Sequence, residues 1–421
     1  MRVNPGVREH RRPASVAVTG LGMVTPLGMS APETWRAMLE GRSGIRRITK
    51  FDPACCLTQY GGELPAAFYE WERTTFPKRL YKQTVRTSRL VLKAAEEAIQ
   101  DSGVDLEAVD LERCGVVIGT SGSSIRSPHD APEPGAEKFK IIREMINALP
   151  AWVSLQRKFQ GPSYTVSAAC ASGSYAVAHG FDLIRSAIAD VVVVGGADTL
   201  LTENTIQRGN FLQVLSRENH PEAMRPFDLR RTGFLLADGG CCLVLESSEH
   251  AKARGARIYA YLAGYGTVSE AYNIFMPAPH GEAMARAMQA AVAHAGLPKE
   301  AIGLICANGT ATIVNDYYET QAIKQAFGAH AYRLLVPAVK SMIGHTVGAS
   351  GAIAVSVAAL ALHSGCVPPT INYRTPDPDC DLNYVPNHMV TVSGLKAALV
   401  NAFGFGGHNC SLVLTAAEPN P

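Results

Sequence analysis

The sequence has no excess of charge of either sign, since 39 Lys and Arg residues stand against 37 Asp and Glu residues. The resulting net charge of +2 gives no basic footprint of the kind that binds nucleic acid, so we expect no nucleic-acid partner. No apolar run approaches the roughly 20 residues that a membrane span requires. We therefore expect no membrane association.

The cysteines also lack the spacing of a disulfide framework or a zinc site. Ten cysteines are present, with the adjacent pairs Cys55-Cys56 and Cys241-Cys242, but no C-x-x-C occurs. Scattered thiols in a chain of this size are typical of the reducing cytosol. The pattern predicts a cytoplasmic protein without a metal.

The chain is long enough to bury a large core, with 421 residues of which 47% are hydrophobic. Residues 1–14 are basic but contain no apolar segment, so they read as a disordered leader and not as a secretory signal. Beyond them, strand patterns such as residues 114–119 and 302–306 alternate with helical patterns such as residues 281–295. This alternation predicts an α/β layered protein of two domains or two fused halves.

A basic cluster opens the helix that we predict over residues 76–103. It includes Lys78, Arg79 and Lys82. Such a cluster is usually a solvated helix face, but it can also dock an acidic partner.

The stretch VSAACASGS at residues 166–174 places Cys170 between a β-leaning run and a helical pattern. The free N–H groups and the positive end of a helix dipole lower the pKa of a thiol at such a position. Small neighbours such as Ala169 and Gly173 let backbone and substrate approach the sulfur. Cys170 is therefore a candidate nucleophile, although a buried structural cysteine is an equally good interpretation of this stretch alone.

Four further stretches follow in order: ANGTAT at 307–312, NDYYE at 315–319, KSMIGH at 340–345 and FGFGG at 403–407. Together with the Cys170 stretch they resemble the β-ketoacyl-acyl-carrier-protein synthases, in particular the elongating class II type. The resemblance extends over residues 16–414 and includes EHAKARGA at 249–256 and VPPTIN at 367–372.

This resemblance implies a thiolase-like fold, a five-layered αβαβα sandwich built from two similar halves. The first half would span residues 15–256 and carry the nucleophilic cysteine, and the second would span residues 257–421. The resemblance also implies a homodimer, or a heterodimer with a related ketosynthase-like subunit. The partner would be an acyl carrier protein, whose phosphopantetheine arm brings the substrates, so that no further cofactor is needed. The basic cluster falls in a carrier-docking region of the family.

The roles of the central residues follow from the same resemblance. Cys170 would accept the acyl group, His345 would be the second active-site histidine, and Lys340 would be a structural lysine paired with Glu319. The backbone N–H groups of Cys170 and Phe405 would form the oxyanion hole.

Further residues would line the substrate path. Thr310 and Thr312 would hold the pantetheine arm, and the ring of Phe405 would gate the acyl pocket, with little anchoring between its glycine neighbours. Phe403, in the same glycine-rich stretch, and Asn273, which stands in place of a common histidine, are further candidates for substrate binding.

The chemistry explains these residue types. A thiolate attacks one thioester and becomes acylated, and a malonyl thioester then loses carbon dioxide to give an enolate. Two donors pointed at the enolate oxygen stabilise it before it attacks the acyl group.

One departure from the family bears directly on that step. The usual His-Gly-Thr is replaced by Asn308-Gly309-Thr310, so the triad becomes Cys170, Asn308 and His345. An asparagine amide can donate a hydrogen bond to an oxyanion, but ketosynthase domains that lack this histidine are usually read as non-elongating.

Three functions stay open at this point. The first is a condensing enzyme that uses Asn308, the second is an acyltransferase that does not decarboxylate, and the third is a catalytically idle partner subunit.

Overall fold

The structure is a computed structural model that describes residues 15–122 and 135–417. The predicted leader at 1–14 lies outside the described residues. The strands are β1 (Val16–Val24), β2 (Ile45–Arg47), β3 (Tyr60–Gly62), β4 (Cys114–Gly119), β5 (Ser163–Val166), β6 (Val191–Asp198), β7 (Gly239–Ser247), β8 (Ala260–Ser269), β9 (Ile302–Cys306), β10 (Cys366–Val367), β11 (Val390–Thr391), β12 (Ala397–Gly404) and β13 (His408–Ala416).

The α-helices of the described residues alternate with these strands. They are α1 (Ala31–Leu39), α2 (Ala66–Thr74), α3 (Lys78–Tyr81), α4 (Arg86–Ser102), α5 (Lys140–Glu144), α6 (Ala148–Arg157), α7 (Ser172–Arg185), α8 (Glu203–Phe211), α9 (Ser248–Ala253), α10 (Glu282–His294), α11 (Ile313–Phe327), α12 (Lys340–Ile343) and α13 (Ser350–Ser364).

Two equivalent sets of strands form the main sheet, in the order β5-β4-β6-β7-β1-β8-β13-β12-β9. In the first half, β4 runs parallel to β6, and β7 pairs antiparallel with both β6 and β1. In the second half, β9 runs parallel to β12, and β13 pairs antiparallel with both β12 and β8. The segment at Leu335 bridges Leu304 of β9 in parallel, as β5 pairs with β4. This repeated topology confirms two similar halves, which meet where β1 pairs with β8.

Helices occupy three layers around these strands. Helices α7 and α13 lie between the strands of the two halves, in one core that includes Phe181, Val194, Ile353 and Leu412. Helix α4 packs on the outer face of the first half, and α10 and α11 pack on the outer face of the second. The expected αβαβα sandwich is thus confirmed.

The small-residue pattern of the two central helices explains their close approach. A Cβ at Gly173 would lie 2.7 Å from the backbone oxygen of Gly348 and 2.9 Å from the backbone nitrogen of Ala352. Any larger residue at 173 would force the two helix starts apart. Because Cys170 and His345 stand just before these helix starts, the packing brings them together.

Two expectations need correction. The helix predicted over residues 76–103 is broken into α3 and α4, with Thr84 and Val85 buried between them. Residues 347–364 are helical, apolar and long enough to meet a simple test for a membrane span, although no such run was expected. However, 78% of that stretch is buried, because it is the central helix of the sandwich.

Candidate active site

Cys170 lies in a short 3-10 turn, Ala169–Ala171, between β5 and α7. Ala169 has a φ of 48°, a left-handed conformation that is uncommon for residues other than glycine. The Ser172 hydroxyl holds the turn, because it accepts the Ala168 N–H at 2.9 Å and lies 2.6 Å from the Ala169 carbonyl oxygen. The sequence therefore predicted the strand-to-helix position of Cys170 correctly.

His345 faces the cysteine. Its Nε2 lies 3.2 Å from the Cys170 Sγ, and both side chains are largely buried. Its Nδ1 accepts the Val347 N–H at 3.2 Å and lies 3.0 Å from the Ser350 hydroxyl. Burial and the charge of Lys340 hold the pKa of His345 well below its ordinary value, so the ring is neutral. Because Nδ1 accepts, Nε2 carries the proton and donates toward the sulfur.

The thiol of Cys170 is not acidified in this state, contrary to the expectation from its helix position. Burial raises its pKa to about 11, and the carboxylate of Asp198 adds to the increase. Lys340 and the backbone N–H groups of Phe405 and Cys170 act in the opposite direction, but burial outweighs them. Both N–H groups thus act on the sulfur, and their role as an oxyanion hole for a substrate oxygen stays a prediction.

Asn308 is 2% exposed and is held on every side. Its backbone N–H donates to Glu319 Oε1 at 2.8 Å, and the Gly309 N–H donates to Glu319 Oε2 at 2.8 Å. Lys340 Nζ donates to the Asn308 backbone carbonyl and, at 3.3 Å, to its Oδ1. The Asn308 Nδ2 donates to Asn315 Oδ1 at 2.8 Å.

The predicted pair of Lys340 and Glu319 is therefore indirect. Within the described ranges, no hydrogen bond or ion pair within 4.0 Å joins the two side chains, and residue 308 lies between them. They still interact through their charges, because Glu319 raises the pKa of Lys340 while burial lowers it. The direct contact expected between Lys340 and Glu319 is therefore absent among the described residues, and each side chain instead binds and orders residue 308.

Thr310 and Thr312 stand together at the start of α11. Their hydroxyl oxygens are 3.0 Å apart, and the Thr312 hydroxyl caps the helix by accepting the Asn315 N–H at 3.2 Å. The Thr310 N–H donates to Asp316 Oδ1 at 3.0 Å. The two hydroxyls thus lie on one rigid turn.

The glycine-rich turn between β12 and β13 brings Phe405 to the cysteine. A Cβ at Gly404 would lie 2.7 Å from the Ala168 carbonyl oxygen, so only glycine permits this approach. The turn is better anchored than expected. Its Gly406 N–H donates to the Ile274 carbonyl at 2.8 Å, and the Phe405 ring lies 4.9 Å from the Phe275 ring, centroid to centroid.

A cavity of about 340 Å³ connects these groups. Most of the predicted site residues line it, namely Cys170, Asn308, Thr310, Thr312, His345, Phe403 and Phe405. Lys340 lies behind Asn308 and outside the lining. Asn273 lies outside this lining, with an exposed side chain whose Oδ1 accepts the N–H groups of Phe275 and Met276, at 2.8 and 3.0 Å, and its role in substrate binding stays a prediction.

The basic cluster lies on and just after the short helix α3. Lys78 and Arg79 are exposed, and Lys82 is half-buried. Farther along, Arg89 is buried and donates to Glu72 Oε1 at 2.8 Å, so it belongs to the core.

Several cavity residues were missed by the sequence analysis. Asn315, which binds the Asn308 amide, is the first residue of the NDYYE motif at 315–319. It lies one helical turn before Glu319, so its position in the sequence could have indicated that it faces the same site. The segments around Phe275 and Val214 also line the cavity. No local sequence signal identifies these, because only the tertiary fold brings them to the site.

The fold and the site define a class of αβαβα protein with two similar halves, in which a buried cysteine, a histidine and an asparagine amide line one cavity. The family descriptions "Beta-ketoacyl synthase, N-terminal domain" and "Beta-ketoacyl synthase, C-terminal domain" match residues 14–251 and 259–374. The chain therefore belongs to the β-ketoacyl synthase family, whose members are condensing enzymes.

Known relatives agree with this assignment. The chain is 36% identical over 407 residues to 3-oxoacyl-(acyl-carrier-protein) synthase 2 of Synechocystis sp., covering 94% of this chain and 97% of that protein. A solved type II polyketide ketosynthase, in complex with its acyl carrier protein and bound to a hexaketide, superposes with a TM-score of 0.86 at 31% identity. The ishigamide ketosynthase/chain length factor gives the same TM-score at 32% identity. In both superpositions 96% of this chain and 100% of the other chain are covered.

Proposed function

We propose that this protein is a ketosynthase that takes an acyl group from an acyl carrier protein onto Cys170 and condenses it with a malonyl-carrier thioester. The observation that carries the proposal is the 3.2 Å contact between Cys170 Sγ and His345 Nε2 in a cavity that Asn308 also lines. The pathway would be fatty-acid or polyketide biosynthesis, as in the relatives.

The first half-reaction acylates Cys170. Its sulfur attacks the carbonyl carbon of the acyl thioester, the bond to the pantetheine sulfur breaks, and the departing thiolate takes up the proton of Cys170. The negative oxygen of the tetrahedral intermediate would be bound by the backbone N–H groups of Cys170 and Phe405. Because neutral His345 donates from Nε2, it stabilises the developing thiolate and does not act as the base.

The second half-reaction forms the carbon–carbon bond. Malonyl thioester loses carbon dioxide, and the electron pair left behind gives an enolate whose oxygen would accept hydrogen bonds from His345 Nε2 and Asn308 Nδ2. The enolate carbon attacks the acyl carbonyl on Cys170, and the Cys170 thiolate then leaves and takes up a proton. The product is a β-ketoacyl thioester on the carrier.

The phosphopantetheine arms of the carrier would supply both substrates, so the reaction needs no further cofactor. Thr310 and Thr312 would hold the arm at the cavity mouth, and Phe403 and Phe405 would bound the acyl chain. Lys78, Arg79 and Lys82 would attract the acidic carrier.

We propose a homodimer in the cytoplasm, and the ten free thiols of the chain suit that reducing compartment. A heterodimer with a related subunit is the alternative that the ketosynthase/chain length factor relative suggests.

A second candidate function is acyl transfer without decarboxylation. The observation that favours it is the substitution at residue 308, whose amide already binds Lys340 and Asn315 and has one N–H left. The catalytically idle partner subunit is disfavoured by the intact contact between Cys170 and His345.

The deciding experiment measures two products with one preparation. Intact protein mass follows acyl transfer from acyl-carrier to Cys170, and released carbon dioxide follows malonyl-carrier decarboxylation. We expect both. Full acylation without carbon dioxide would replace condensation by simple transfer, and no acylation would indicate an idle subunit.

A further inference from the structure

We propose that Asn315 is a positioning residue that aims one N–H of Asn308 at the substrate. This inference rests on the proposed function, because it concerns how the donor that replaces the usual histidine is oriented. It comes from a chain of hydrogen bonds that runs from a buried carboxylate to the Asn308 amide.

The chain begins at Asp316, which is fully buried. Its Oδ1 accepts the Thr310 backbone N–H at 3.0 Å, and its Oδ2 accepts the Phe227 backbone N–H at 2.8 Å. A backbone N–H can only donate, so both oxygens accept here, and the Arg231 guanidinium, 3.9 Å from Oδ2, favours the ionised carboxylate, which has no hydrogen to donate. Asp316 therefore acts only as a hydrogen-bond acceptor, and any side chain that bonds to it must present a donor.

The next link is the side-chain amide of Asn315. Its nitrogen lies 3.0 Å from Asp316 Oδ1 and must donate to it. An amide presents its donor and acceptor on opposite branches, so the Asn315 Oδ1 is left facing Asn308. That oxygen can only accept, so the Asn308 atom that faces it, at 2.8 Å, must be the donor nitrogen Nδ2.

An independent contact gives the same orientation. Lys340 Nζ can only donate, and it lies 3.3 Å from the Asn308 Oδ1. Two separate neighbours thus require the Asn308 oxygen to face Lys340 and the nitrogen to face Asn315. One hydrogen of the nitrogen is taken by Asn315, and the second remains available in a residue that lines the cavity.

The arrangement has a functional consequence for the substituted site. A free asparagine amide can present either its oxygen or its nitrogen, and an oxygen beside an enolate would repel it. Lys340 fixes which branch of the Asn308 amide is the oxygen, and the link through Asn315 fixes the direction in which the nitrogen points. It also ties the donor to the turn that bears Thr310, because the same Asp316 oxygen serves both.

The test compares Asn315→Ala with the native chain in both half-reactions. We expect carbon dioxide release from malonyl-carrier to fall roughly tenfold or more, less than the loss on removing a donor outright, while acylation of Cys170 changes less than twofold. Tyr317→Ala, a half-buried neighbour on α11 with no hydrogen bond to Asn308 among the described contacts, is the matched control and should leave both rates unchanged. Equal losses in both half-reactions, or no loss of carbon dioxide release, would overturn the proposal.

A double-mutant comparison separates orientation from simple support of the fold. With Asn308→His in place there is no amide to orient, so adding Asn315→Ala should then cost much less than it costs the native chain. The same loss in both backgrounds would mean that Asn315 only supports α11.

A crystallographic measurement keeps the positioning claim separate from the proposed function. At high resolution, Asn315→Ala should show the Asn308 amide rotated away from its native orientation. If the native enzyme releases no carbon dioxide, condensation fails as the function, but this measurement still decides the positioning. An unchanged amide in the variant would overturn it.

Discussion

Lys340 binds Asn308 twice, through the backbone carbonyl and through the side-chain Oδ1. The lysine therefore occupies the acceptor side of the Asn308 amide and leaves only the nitrogen to face other partners. The substitution that distinguishes this chain from its family is thus compatible with a donor at residue 308.

Cys170 should be the residue that carries the acyl group. We expect Cys170→Ala to abolish acyl transfer from the carrier, and a cerulenin-like epoxide to label Cys170. Cys306 and Cys410 are buried and lie outside the cavity lining, so neither should be labelled. Peptide mass mapping checks the assignment, and label on either of those two cysteines would contradict it.

The reactivity of Cys170 should increase with pH across the neutral range. Burial raises its pKa to about 11, and the thiolate is the reactive form, so the alkylation rate should rise about tenfold per pH unit between pH 7 and pH 10. The rate of iodoacetamide labelling at Cys170, followed by peptide mapping, checks this sign. A rate that is constant from pH 6 to pH 8 would show that the thiolate already dominates.

The basic cluster should matter only when the donor is a protein. Changing Lys78 and Arg79 to Glu should slow acylation from the acidic carrier about tenfold or more at low salt, since opposite charges speed encounter. Acylation from a small pantetheine thioester should not change. Lys299→Glu with Arg333→Glu makes the same charge change at exposed positions elsewhere and is the control. Equal losses with both donors would mean that the cluster does not dock the carrier.

The layered fold was predictable because its signals are local. Strands such as β4 and β9 are short apolar runs between turn residues, and their bounds match the predicted ones. The break between α3 and α4 was not predictable, because it depends on burial of Thr84 and Val85 by the rest of the fold. Tertiary burial overrode a continuous helical pattern there.

The site was predictable where a residue's type and its place in an ordered set of motifs identify it, as with Cys170 and His345. It was not predictable where burial decides the chemistry. Lys340 and the backbone N–H groups of Phe405 and Cys170 do favour the thiolate of Cys170, but desolvation outweighs them, and the balance cannot be read from the neighbours in sequence. The hydrogen bond between Asn308 and Asn315 likewise needs the geometry of the turn.

Phe405 should control the acyl chain more than the stability of the fold. Phe405 is 40% exposed, so Phe405→Ala should cost about 1–2 kcal/mol of unfolding free energy. Phe403, which is 6% exposed, is the matched control and should cost about 3–5 kcal/mol on the same change. We expect Phe405→Ala to alter the condensation rate or the preferred chain length, measured with carriers of graded acyl length. Identical ring positions in the free and acylated enzymes would contradict a gate.

The decisive prediction concerns Asn308. If its free N–H binds the enolate oxygen together with His345, Asn308→Ala should reduce carbon dioxide release from malonyl-carrier about 100- to 1000-fold, the usual cost of a lost oxyanion donor. Acylation of Cys170 should be nearly unchanged, because its oxyanion is bound by backbone N–H groups instead. Asn308→His is the companion variant, and it should retain or increase decarboxylation where the pocket accepts an imidazole. If the native enzyme acylates fully but releases no carbon dioxide, and Asn308→His gains that release, then the asparagine has converted a condensing site into a transfer site.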